Sequence, residues 1–131
     1  MDPVVHFELP AEDRERAGAF YEAAFGWEVE LLGPEVGNYA LATTTASEAG
    51  RPTRPGEING GIYTRDDSGH AQTPRVVIAV EDVEDAIGRV VAAGGVVEEE
   101  IQEIPGVGRY AWFIDTEGNR MSILEPSPRD S

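Results

Sequence analysis

The sequence predicts an α+β protein: two βαβββ modules in tandem forming a curved, cup-shaped mixed sheet with the helices outside. Three observations predict it. Residues 4–33 and residues 75–104 run through the same order of alternating strand, amphipathic helix, glycine stop and strand. Each copy is followed by further short strands, the last of them within DTEGNRMSILEP (115–126). The length, 131 residues, suits one domain with a proper core, here divided into modules at about 3–64 and 74–126. Two curled half-sheets of this kind are expected to enclose a cavity, the usual seat of small-molecule chemistry.

The first copy opens with residues 4–9, where Val5, Phe7 and Leu9 share one face and His6 and Glu8 the other. Pro10 is expected to stop this strand. Glu12 and Asp13 suit the first turn of a helix, where negative charge meets the positive end of the dipole. Ala17, Phe20, Tyr21, Ala24 and Phe25 recur at helical spacing and predict a buried stripe; Gly26 suits the left-handed residue that ends a helix. Residues 27–32 and 38–43 read as strands on either side of a turn at 33–37. The stretch 44–57, rich in Thr, Gly, Pro and Arg, reads as a loop that is a lid, a crossover or simply mobile. NGGIYT (59–64) is a short strand whose internal glycines mark a bulge or a close approach. A polar linker, 65–73, joins the halves.

In the second copy, residues 75–80 form a strong strand, and Asp82 can cap the next helix with Asp85 three residues on. Val83, Ala86, Ile87, Val90 and Val91 form its apolar stripe, ended by Gly94 and Gly95. Residues 96–104 read as a strand broken by Pro105 and Gly106. Strands at 109–114 and 120–125 follow, joined by a turn at 116–119. The closing PSPRDS is expected to fray.

Composition bounds the partners. Asp and Glu number 25 against 10 basic residues, all of them Arg, for a net charge of -15. Such a charge repels nucleic acid and anionic membranes. Because the acids are scattered along the whole chain, a surface adapted to high salt, where screening relieves self-repulsion, is favoured over one that attracts cationic ligands. There is no cysteine, which excludes disulfides, thiolate metal sites and a cysteine nucleophile. No run of apolar residues is long enough to span a membrane, and the N-terminus has no signal-peptide pattern, so a cytoplasmic location is expected.

Three pieces carry a family resemblance: VHFELPAED leading into AFYEAAFGW, then VEDVEDAIGRVVAAGG, then the closing DTEGNRMSILEP. In this order and spacing, across almost the whole chain, they resemble the vicinal oxygen chelate superfamily. That superfamily includes glyoxalase I, extradiol dioxygenases and bleomycin-resistance proteins. The chain is most similar to its small glyoxalase-I-like members with an NGG strand and a PGVG-type turn. The family's closing turn usually has Pro after the Asp; here Thr116 stands there. The resemblance implies a homodimer and, in metal-dependent members, ligands on the first, fourth, fifth and eighth strands. Carried over position by position, His6 takes the first place. The second falls within 59–61, where there is no carboxylate or imidazole; Arg75 takes the third and Ser122 the fourth. One ligand in four survives, and Arg brings a positive charge with no acceptor, so no bound metal is expected.

His6 and Glu8 are the candidate catalytic pair, a general base and its orienter, with a hydrogen-bonded polar pair in a cleft as the plainer alternative. Arg75, Asn59, Tyr63, Ser122 and Arg120 are the candidate substrate-binding residues. Arg75 would bind a carboxylate or an enolate oxygen, or else pair with Glu8 or another acid. Arg120 is expected to snorkel to solvent, while Ser122 leaves space. Tyr63 caps the cavity or belongs to the core. Tyr110 and Trp112 read as core or interface residues more than as a ligand-stacking surface, and Phe20, Tyr21 and Phe25 as core. NGG lacks the strand–glycine–helix context of a phosphate loop.

The resulting expectation is a metal-independent lyase or isomerase-like enzyme acting on a small oxygenated metabolite. One alternative is a non-catalytic small-molecule binding or sequestration protein. A second is a divalent-metal enzyme or dioxygenase using His6, Glu8 and His70.

Overall fold

The computed structural model describes residues 1–36, 38–65, 72–97 and 100–127. The chain divides into two compact units, His6–Pro74 and a second formed by Met1–Val5 with Arg75 onwards. Each holds one βαβββ module, so the α+β class and the tandem repeat read from the sequence are those of the structure. Among the described residues, no helix is long and apolar enough to cross a membrane.

The first unit contains most of β1 (Val4–Ala11), α1 (Arg14–Phe25), β2 (Glu28–Leu31), a single 3-10 turn (Pro34–Val36), β3 (Ala40–Thr43), β4 (Ser47–Glu48), β5 (Arg51–Pro52) and β6 (Asn59–Thr64). Its sheet runs β2-β3-β6-β1, antiparallel except for the parallel pair of β6 with β1. Pro10 does not stop β1. The strand continues to Ala11, whose carbonyl accepts from Arg65 N–H at 2.8 Å. Neighbouring residues of a strand point their N–H groups to opposite edges, so the donor missing at Pro10 falls on the edge away from β6.

Asp13 is the N-cap of α1, its carboxylate accepting from Arg16 N–H at 3.0 Å, and Gly26 ends the helix in the left-handed region at φ 76. The helix lies on Leu9, Ala11, Val29, Ala40 and Ile62 through Ala17, Gly18 and Tyr21. Gly18 sets the closeness: a Cβ there would sit 3.0 Å from Val29 Cγ1.

The predicted stripe is corrected at three positions: Phe20 is 58% and Phe25 66% exposed, and Ala24 is exposed too. Phe20 lies about 200° round the helix from Gly18, well off the packed face. Phe25 closes the helix and joins the rings of Tyr21 and Trp27, which stack with centroids 4.5 Å apart.

The stretch 44–57 carries a small hairpin the sequence reading missed, β4 with β5, turning through Ala49 and Gly50 at φ 50 and 78. Thr53 N–H closes it on the Ala46 carbonyl at 2.9 Å.

The second unit contains β7 (Arg75–Ala79), α2 (Val83–Ala92), β8 (Gln102–Ile104), β9 (Gly108–Ile114) and β10 (Arg120–Pro126). Its sheet runs β7-β10-β9-β8, with β7 and β10 parallel. Asp82 caps α2, accepting from Asp85 N–H at 3.0 Å, and Val83 N–H donates to Glu125 at 3.0 Å. Val83 and Ala86 pack on Val80, Ala111 and Ile123, with Ile78, Ile87, Ile101 and Phe113 around them. Val91, predicted in the stripe, is 56% exposed. The strand predicted over 96–104 reduces to a single bridge, Val96 to Ile114, and the three residues of β8; residues 98–99 lie outside the described part.

Asp115 builds the β9–β10 turn. Its carboxylate accepts from the Asn119 side chain, Asn119 N–H and Glu117 N–H at 2.8–2.9 Å, and the Asn119 bonds above all hold its pKa below the usual value.

In β6 the glycines of NGG are clearances. A Cβ at Gly60 would fall 2.3 Å from the ring of Phe7, which packs on Trp27 at 5.4 Å. Gly60→Ala is therefore expected to cost about 1–3 kcal/mol by forcing that ring aside. Urea unfolding checks this: a midpoint equal to that of the parent protein would show that Phe7 has room to move.

Candidate functional site

Strand alternation sorts each sheet into a face covered by its helix and a face turned away from it. Away from α1 lie His6, Glu8, Asn59, Gly61 and Tyr63; away from α2 lie Arg75, Tyr110, Trp112, Ser122 and Arg120. Every sequence-predicted site residue in the described part thus stands on a helix-free face. His70, the third donor of the metal alternative, lies outside the described residues.

In the first unit His6 and Glu8 are two residues apart on β1, about 7 Å along the strand and on the same face. Tyr39 joins them. Its hydroxyl donates to Glu8 Oε2 at 3.0 Å and lies 3.3 Å from His6 Nε2. Tyr39 stands just before β3, and its carbonyl is tied down by Leu32 N–H at 2.9 Å and by the Arg14 guanidinium, which also reaches the Leu32 and Asn38 carbonyls. To reach β1 from there the ring must pass over β6. It does so at Gly61, where a Cβ would fall 1.7 Å from the Tyr39 oxygen. The sequence reading missed Tyr39. The available signal was a glycine on the predicted site face with an aromatic residue on the neighbouring strand.

Glu8 is buried, 6% exposed, and His6 is half-buried. Burial pushes the His6 pKa below its usual 6.5, and the Glu8 carboxylate partly opposes this, so the imidazole is neutral at pH 7 and can accept a proton.

Asn59, also buried, serves the 44–57 stretch. Its Oδ1 accepts from Thr44 N–H at 2.9 Å and its Nδ2 donates to Ser47 Oγ at 2.8 Å. Tyr63 donates to the Thr73 carbonyl at 2.6 Å, anchoring the end of the linker. A groove of about 490 Å³ opens on the α1 side of this unit, along Leu9, Ala17, Phe20, Tyr21, Ile62 and Arg65. None of His6, Glu8 and Tyr39 lines it.

In the second unit Arg75 is 7% exposed and its guanidinium carbon lies 5.4 Å from the centre of the Trp112 ring, an attractive cation–π arrangement. Trp112 Nε1–H donates to the Tyr110 hydroxyl at 2.8 Å, which shares a hydrogen bond with the fully buried Ser122. Tyr110 and Trp112 therefore form the support of Arg75 and Ser122, a more specific role than the core or interface packing expected. Arg120, expected to reach solvent, is instead half-buried, with Nη1 shielded.

The donors described on these faces do not assemble a divalent-metal site. Among the described residues, no three His, Cys, Asp or Glu side chains gather in one place. His6 Nε2 and Glu8 Oε2 face the Tyr39 hydroxyl, and Asn59 faces Thr44 and Ser47.

The sequence matches the model of the Glyoxalase/Bleomycin resistance protein/Dioxygenase superfamily over residues 4–123, and the chain belongs to that superfamily. Among curated relatives, CFP32 of Mycobacterium bovis, which carries a provisional glyoxylase name, is 32% identical over 126 residues, 93% of this chain and 43% of its own. The chain thus spans less than half the length of that relative. A glyoxylase-like domain-containing protein of Didymella fabae is 32% identical over 119 residues, 88% of each chain. Among solved structures, methylmalonyl-CoA epimerase of Mycobacterium tuberculosis shares the fold, with TM-score 0.67 and 17% identity over 95% of this chain and 88% of that one. A hypothetical protein of Bacillus halodurans has TM-score 0.69 and 13% identity over 99% and 98%.

The lowered His6 pKa carries a pH dependence. Between that pKa and 6.5 the unfolded chain binds more protons at this position than the folded one, so stability rises with pH there and is lost as pH falls. A ring titration by NMR, with His6 assigned through its absence in His6→Gln, is expected to show a midpoint below 6.5. A midpoint at or above that value would contradict the burial argument.

Proposed function

We propose that the chain is a metal-independent lyase or isomerase-like enzyme acting on a small oxygenated metabolite. His6 accepts a proton from the ligand, with Glu8 as the carboxylate that stabilises the resulting imidazolium. Arg75 is the anion-recognising group, for a carboxylate or an enolate oxygen as charge develops on it. The observation that carries this reading is the half-buried imidazole linked to a buried carboxylate through one hydroxyl. A protein that only sequesters a ligand needs shape and charge, not a base in its uncharged form beside a carboxylate. The support of Arg75 by Trp112 favours the anion role: a guanidinium held over a ring is positioned before the ligand arrives. The solved neighbours, at 13–17% identity, contribute the fold to this reading and none of the residue roles. Assembly as a homodimer is part of the proposal, since isologous pairing is the commonest assembly for such domains.

Small hydroxy- and oxo-acids screened by thermal shift identify ligands selective for the folded state. Each hit is then held in deuterated water with the protein and followed by NMR for deuterium uptake or conversion. We expect exchange next to a carbonyl or carboxylate, reduced by about 10²–10⁴ in His6→Ala. Arg75→Ala is expected to weaken an anionic hit by about 10- to 100-fold. A hit that binds tightly with neither exchange nor conversion would make the protein a binder. A stoichiometric divalent metal, found by elemental analysis and lost in His6→Ala, would overturn the metal-independent reading.

A further inference from the structure

We infer that Tyr39 is a positioning residue: its hydroxyl fixes the tautomer of His6 and so decides which ring nitrogen acts as the base. A phenol has one proton to give. Tyr39 donates it to Glu8 Oε2, and a carboxylate can only accept. The same hydroxyl lies 3.3 Å from His6 Nε2, so the bond between them has to be donated by the imidazole. Nε2 therefore carries the hydrogen in the neutral ring, and Nδ1 carries the lone pair. Proton transfer from a ligand then goes to Nδ1. The imidazolium so formed keeps its Nε2–H on the Tyr39 oxygen, and the Tyr39 hydrogen stays on Glu8. The carboxylate thus steadies the new positive charge through one intervening hydroxyl, without taking up the proton itself. The proton returns from Nδ1 to the ligand, at the same or another atom, and the ring is neutral again.

The fold provides for this arrangement in three ways. The Arg14 guanidinium and Leu32 N–H hold the Tyr39 backbone. Gly61 leaves the passage over β6, because any side chain there would occupy the position of the phenol oxygen. Strand alternation puts His6 and Glu8 on one face at the spacing a single bridging oxygen can span. A tyrosine held only for packing would need none of these to coincide at its hydroxyl. The inference deepens the proton-transfer reading and rests on it for its catalytic consequence, but the tautomer itself is a property of the protein without ligand.

The test is nitrogen-15 NMR of the imidazole in the full-length protein, without ligand and above the His6 pKa. In the parent protein Nε2 is expected to resonate as N–H and Nδ1 as a bare nitrogen. Tyr39→Phe keeps the ring over Gly61 and removes only the hydroxyl, so the two signals are expected to move towards the averaged values of a mixed tautomer. Gly61→Ala is expected to do the same by displacing the phenol, with the amide spectrum reporting whether the fold is kept. Parent protein carrying the hydrogen on Nδ1 overturns the inference outright, whatever the variants do. An unchanged tautomer in folded Tyr39→Phe also overturns it. If the ligand screen yields turnover, Tyr39→Phe is expected to lower kcat by about 10- to 100-fold with KM little changed. Should the screen yield none, the proton-transfer reading fails while the tautomer result stands.

Discussion

The constraint on which the first unit depends is clearance across β6. Two aromatic rings approach this strand from opposite faces, Phe7 at Gly60 and Tyr39 at Gly61, and each occupies space that a Cβ would claim. On the helix side the gap lets Phe7 close against Trp27, at the edge of the ring cluster that finishes α1. On the other side it lets Tyr39 cross from the start of β3 to β1. Glycine in a strand normally weakens it, through lost packing and greater freedom in the unfolded chain. Here the absent side chains are replaced by rings from neighbouring elements, so the strand interior is filled although the strand contributes little to it. The same two positions thus serve packing on one face and polar geometry on the other.

The polar faces of the two units are built on a common logic. Each has a charged or titratable side chain largely withdrawn from solvent and held by an aromatic partner: His6 and Glu8 by the Tyr39 hydroxyl, Arg75 by the Trp112 ring. Withdrawal from water raises the free energy of a charged group, and the partner offsets part of that rise. For His6 the balance falls on the side of the neutral ring. For Arg75, which stays charged, it falls to a delocalised cation that tolerates an aromatic surface better than an ammonium would. Membership of the glyoxalase superfamily is thus compatible with described residues among which no three His, Cys, Asp or Glu side chains gather in one place.

Two stripes read from helical spacing were too wide, and for the same reason. Spacing says which residues share a side of a helix, but not how broad a strip the neighbouring sheet can cover. Gly18 draws α1 so close to Val29 that contact narrows to Ala17, Gly18 and Tyr21, leaving Phe20, Ala24 and Phe25 outside. In α2 the contact runs through Val83 and Ala86, and Val91 at the last turn overshoots it.

Much of this protein was legible in its sequence, because strand alternation, helix periodicity and capping act over a few residues. The βαβββ repeat, Asp13 and Asp82 before their helices, Gly26 after the first, and the shared faces of His6 with Glu8 and of Arg120 with Ser122 all follow from local chemistry. Tertiary structure decided what depends on contacts between residues far apart in the chain. It placed Tyr39, separated from Glu8 by 31 residues, between the two candidate catalytic groups, and it set Trp112 beneath Arg75. It turned Asn59 towards Thr44 and Ser47 and carried β1 through Pro10. Alternation assigns a side chain to a face; which partner it meets there depends on strand order, register and clearance, and these exist only once the sheet has formed.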